Sequence, residues 1–157
     1  MLSKIETLLR GLTALVALGV VFAYFQPWVL GPFGAIPASK LEAQLRGPGR
    51  FLSLLDSKNS LARDGQLAHY LYLVPTAAAI TAITIPFAFG PAVIPLLAGS
   101  AAVIASTQVR NKVQDWPFHR EGAGVGLAYR CGWILIVLSL LIWVTRRRRR
   151  AGGRARR

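Results

Sequence analysis

Gly132–Thr145 (GWILIVLSLLIWVT) runs without a charge into Arg146–Arg150 (RRRRR), and Arg154, Arg156 and Arg157 follow. An apolar segment that stops at a block of arginines has the form of a membrane-spanning helix meeting the cytoplasmic head-group layer. Hydrocarbon excludes charge, whereas the anionic surface attracts it. Crossing a ~30 Å hydrocarbon core takes about 20 residues. Counting back from Arg146 therefore defines a span over 126–145.

Upstream, Tyr70–Val109 also lacks Asp, Glu, Lys and Arg throughout. As a single helix it would be about 60 Å long, twice the thickness of the hydrocarbon. It has to fold back. Phe89-Gly90-Pro91 is the place, because glycine followed by proline ends one helix and can open the next. Spans over 70–89 and 91–109 follow, with Pro75, Pro86 and Pro95 near their ends, where a missing backbone donor costs least. A further span is expected over 11–30, after Lys4 and Arg10. Tyr24, Phe25 and Trp28 at its end, and the poor cleavage signal Ile36-Pro37-Ala38, favour a retained anchor over a signal peptide.

The expected fold is thus an all-α integral membrane protein with four transmembrane helices. The bundle would occupy 1–145 and an arginine-rich cytoplasmic tail 146–157. A chain of 157 residues that is 54% hydrophobic, with mean hydropathy +0.45, has room for little else. Four spans put both termini on one side, and the arginine block makes that side cytoplasmic. The expected location is a bacterial inner membrane. Segments 31–68 and 110–125 then face outward. Within 31–68, Ser39-Lys40-Leu41-Glu42 fits a capping box, and Leu41 and Leu45 give a short amphipathic helix along the membrane surface. Ser60 can cap a further turn. Trp28, Trp116 and Trp133 are expected at the outer interface and Trp143 at the inner one.

The net charge of +13 suggests nucleic acid until its distribution is read. The tail carries eight arginines and no acid, whereas the other basic residues are diluted by Glu and Asp. No aromatic platform accompanies the arginines, which argues against nucleic acid. Arg146, Arg147, Arg148, Arg149 and Arg150 are expected to contact anionic lipid head groups or a partner.

Chemistry is sparse. His69 and His119 lie fifty residues apart without a ligand motif, and Cys131 alone makes neither a disulfide nor a thiolate metal site. No metal or cofactor is implied. No paired carboxylates stand in a span, and no nucleophile has a base at a persuasive spacing. Gly122-Ala123-Gly124-Val125-Gly126 lacks the preceding strand of a phosphate-binding turn and more simply lets chain and helix approach closely. The one ionisable residue inside a span is Arg130. It either snorkels to the head groups or pairs with a carboxylate of another subunit.

Small residues recur four apart at Gly19/Ala23, Ala78/Ala82, Ala98/Ala102 and Ala101/Ala105, a spacing that lets helices in lipid pack closely. Uncharged spans, packing surface and a basic tail together suggest a non-catalytic auxiliary or structural subunit of a larger membrane assembly. An energy-transducing complex, respiratory or photosynthetic, is one such setting, with other membrane subunits as partners. The alternative is a small carrier or binding protein for a lipid, quinone or other hydrophobic molecule, held between helices near Pro75, Pro86 and Pro95.

Overall fold

The computed structural model describes residues 2–31, 34–41, 60–86, 92–114 and 120–154. In chain order the elements are α1 (Leu2–Phe25), β1 (Pro27–Gly31), β2 (Gly34–Pro37), α2 (Ser60–Thr84), α3 (Val93–Gln114), β3 (Arg120–Glu121) and α4 (Ala123–Arg154). The helices close into a ring: α1 packs on α2 and α4, and α3 packs on the same two neighbours. Three of them, over Lys4–Phe25, Val93–Gln114 and Ala123–Arg147, are long and apolar enough to cross a membrane. In α2 the apolar part is shorter, Leu71–Thr84.

The helices differ in extent from the sequence expectation, each for a local reason. α1 stops at Phe25 rather than continuing to Leu30. Pro27 has no N–H to give a helix and pushes the residue before it out of the helical region, and Trp28, Val29 and Leu30 favour extended backbone. α2 begins at Ser60, ten residues before the apolar stretch, because Leu61, Ala62 and Arg63 are good helix formers whatever their polarity. α3 runs past Val109 to Gln114, with Lys112 in its last turn facing the negative end of the helix dipole. α4 is a continuous helix of 32 residues, about 48 Å long, and carries the arginine block as its own continuation.

The architecture is not purely helical. A three-stranded sheet in the order β2-β1-β3 caps one end of the bundle. Strand β1 pairs antiparallel with β2 from Gly31↔Gly34 to Pro27↔Pro37. Gly34 has φ 120°, a backbone angle that glycine adopts without strain. On its other side β1 pairs with β3 through Val29↔Glu121 and Leu30↔Arg120. Residues 38–41 are helical, with Ala38 and Leu41 buried; the rest of the expected amphipathic helix, Leu45 included, lies outside the described residues. So does the break at Phe89-Gly90-Pro91, which Ile85–Pro86 and Ala92 bracket.

The interior combines many small side chains with a few large ones such as Trp28, Leu71 and Leu135, and the exterior carries large apolar ones. Ala17, Ala23, Ala78, Ala98, Ala102, Ala105 and Ala128 are fully buried. Facing outward are Leu8, Leu12, Leu15 and Phe22 of α1, Ile80 and Ile83 of α2, Leu97 of α3, and Trp133, Val137, Leu140 and Trp143 of α4. The closest helix approach is between α3 and α4. A Cβ on Gly99 would lie 2.6 Å from the Gly132 carbonyl oxygen, and one on Gly132 would lie 2.9 Å from that of Gly99. Only two glycines allow the backbones to touch here. Two buried hydroxyls are satisfied within their own helices: Thr13 donates to the Leu9 carbonyl at 2.7 Å and Thr81 to that of Ala77 at 2.8 Å.

Candidate functional site

The two ends of the bundle are built differently, and the candidate site residues divide between them. At the sheet end the organising side chain is Trp28. Sequence reasoning places it at a membrane interface, but it is fully buried. The register of β1 against β2 shifts between Pro27 and Val29, and this bulge re-aims Trp28 into the bundle. Its indole Nε1 donates to the Ala23 carbonyl at 2.8 Å, which also accepts from the Gln26 N–H at 3.2 Å at the end of α1. Gly124 makes room for the ring, since a Cβ there would lie 2.5 Å from Trp28 Cδ1. The Gly122 N–H donates to the Trp28 carbonyl at 2.9 Å. The glycine-rich stretch before α4 is therefore a close-approach device.

Around this core, Arg110 donates to Glu121 at 2.9 Å, and its guanidinium lies 5.5 Å from the Tyr129 ring centroid. Arg130 points away from the bundle interior on the exposed side of α4. Cys131 faces α1 across Gly19, whose Cβ position would be 3.3 Å from Sγ. Trp133 is about half exposed and stacks edge-on to Tyr129. Trp116 and His119 lie outside the described residues, and His69 is described only as part of α2.

The opposite end is electrostatic. Glu6 on α1 is buried, 7% exposed, and accepts from the Arg10 guanidinium one turn along the same helix. Arg146 Nε of α4 approaches the same carboxylate at 3.5 Å. A carboxylate this enclosed requires charge partners, because isolated burial of the ion would be costly. Arg147 turns the other way and stacks on Trp143, with its guanidinium carbon 4.6 Å from the ring centroid. Arg148, Arg149 and Arg150 continue α4. The arginine block is thus split: its first member closes the bundle, and its second lies on the outside.

Glu6 and Arg10 are the members of this cluster that sequence reasoning did not single out. Their signal was present: an acid four residues before an arginine on one helix places the two side chains together. Among the described residues, no group of three or more His, Cys, Asp and Glu could hold a metal ion. The chain matches no protein-family model, no curated protein and no solved structure.

Proposed function

We propose that this chain is a non-catalytic structural subunit of a larger membrane assembly, with an energy-transducing complex of a bacterial inner membrane as the leading setting. The observation that carries the membrane part is the large apolar exterior, with leucine, isoleucine, phenylalanine and tryptophan exposed on all four helices taken together, around an interior rich in alanine. In water such an exterior would be an association hazard over far more than the few hundred Å² that monomers tolerate. In lipid it is the ordinary solution, because small residues drive helix contact and large ones meet the acyl chains.

Four spans are favoured by parity. Glu6 near the start of α1 meets Arg146 near the end of α4, so both termini belong to one end of the bundle. Three crossings by α1, α3 and α4 would leave them on opposite sides. A crossing by α2, 25 residues and about 37 Å long, restores the parity. The arginine block makes the shared end cytoplasmic.

The subunit reading draws on the outward face of α4. There Arg130, Trp133 and Val137 present a cation beside apolar surface. The Gly99–Gly132 contact favours a scaffold over a carrier, since backbones that touch leave no space for a ligand at that level. Purification from native membranes in mild detergent tests the proposal. Recovery in a stoichiometric complex is expected, and a lone monomer contradicts it. Arg130→Leu should weaken that complex more than Arg130→Lys, and equal assembly of both variants removes Arg130 from the interface.

A further inference from the structure

Two guanidiniums converge on one carboxylate at the basic end, and one of them has a donor to spare. Arg10 and Arg146 both pair with Glu6, so this described cluster carries one positive charge more than negative. The Arg10 Nε–H is buried and has no hydrogen-bond partner. The sequence offers no second acid nearby. Of the six acidic residues, Glu6 is the only one before Glu42, and none follows Glu121. Among the described side chains, Arg10 and Arg146 thus meet at a single carboxylate. A buried N–H on a guanidinium is costly to leave unmade, more so than a neutral one. The chemistry that answers it is an anion with several acceptor oxygens, presented at the depth where α1 and α4 leave the apolar region.

We propose that the Glu6–Arg10–Arg146 cluster is a binding site for the phosphate of one anionic phospholipid. The proposal rests on the membrane reading above. Arg10 Nε–H donates to a phosphate oxygen from inside the bundle rim. Arg146 shares its charge between that phosphate and Glu6, and the Glu6 carboxylate competes with the phosphate for both guanidiniums. The apolar faces of α1 beside it, with Leu8 and Leu12 exposed, take the acyl chains. This differs from the diffuse attraction of a basic tail to a charged surface, which salt screens beyond a Debye length. A phosphate held by a buried donor resists salt.

The test uses the full chain, extracted from alkali-washed bacterial membranes in a mild detergent and washed at about 0.5 M salt, where the screening length is only a few ångströms. Bound phospholipid is then identified by mass and counted by phosphorus. One anionic phospholipid per chain is expected on wild type and on Arg120→Gln, whose substitution is in the exposed strand β3 at the other end. Arg10→Met should lower its retention about tenfold or more, the scale of one charge-assisted hydrogen bond. If that variant fails to insert, Glu6→Gln decides, because removing the competing carboxylate should tighten retention. Unchanged or weaker retention in Glu6→Gln overturns the site. Loss of all phospholipid from wild type at high salt, or full retention by Arg10→Met, reduces the end to diffuse electrostatics and overturns it too. Displacement of the lipid by inorganic phosphate alone overturns the lipid as the source. A copurifying polypeptide that crosslinks at position 10 in place of phospholipid gives the site to a partner's carboxylate instead. Absence of wild type from the alkali-washed membranes fails the membrane reading itself, an outcome separate from all the others.

Discussion

The sheet end of the bundle is closed by shape and backbone hydrogen bonds, whereas the basic end is closed by charge. At the first, the Trp28 ring fills a space that Gly124 leaves open, Gly122 lets the strand backbone approach, and the indole donates at the end of α1. At the second, Glu6 is gripped by Arg10 from its own helix and by Arg146 from the far end of the chain. A shape lock fails when a volume changes and is indifferent to salt. A charge lock tolerates volume and depends on ionic strength and on which anions are present. One end is therefore suited to rigidity and the other to responding to its surroundings.

The largest expected effect comes from breaking the shape lock. Trp28→Ala should cost about 3–5 kcal/mol, the range for emptying a large buried aromatic site. Reversible unfolding in mixed micelles measures it, and salt should leave the loss unchanged. Next is the backbone contact between α3 and α4: Gly99→Leu should cost about 1–3 kcal/mol through overpacking, more if the helices cannot separate. Crosslinking between cysteines placed on α3 and α4 would report the separation. A smaller effect is expected at the basic end, where Arg146→Gln removes one of the two described partners of Glu6. It should cost about 1 kcal/mol, in keeping with a partly exposed ion pair, and the cost should shrink as salt rises. Smallest of all, Arg147→Gln forfeits a stacking contact on Trp143 of about 0.5–1 kcal/mol. If Arg146→Gln proves as damaging as Trp28→Ala and equally blind to salt, the two ends are not different in kind.

Much of the bundle was legible because lipid imposes a simple rule: charge-free stretches of sufficient length become helices. The bulk of α3 and α4, and a break between Ile85 and Ala92, follow from that rule and from Gly90-Pro91. Helix ends were less legible. Hydropathy locates where a helix is apolar, and α2 shows that a helix can begin ten residues before it becomes so. The sheet was hidden because Pro27–Gly31 is too apolar to distinguish from the end of a span. Pro27 was the signal against helix, and its consequence is that Trp28 turns inward. The roles of Gly99 and Gly132 were obscure for another reason: small residues every fourth position were visible in each helix, but not which helix would meet which. The pairing of Glu6 with Arg146 spans nearly the whole chain, and no local pattern announces it.

In the proposed arrangement four helices cross one membrane, with Glu6 and the arginine block on its cytoplasmic side. Single-cysteine labelling tests it most directly, in a Cys131→Ser background with Ser3→Cys, Ser57→Cys and Gly153→Cys made one at a time. A membrane-impermeant maleimide should label positions 3 and 153 in inside-out vesicles but not in intact spheroplasts, and position 57 in the reverse pattern. Labelling of positions 3 and 153 from opposite sides would contradict the four-span arrangement outright.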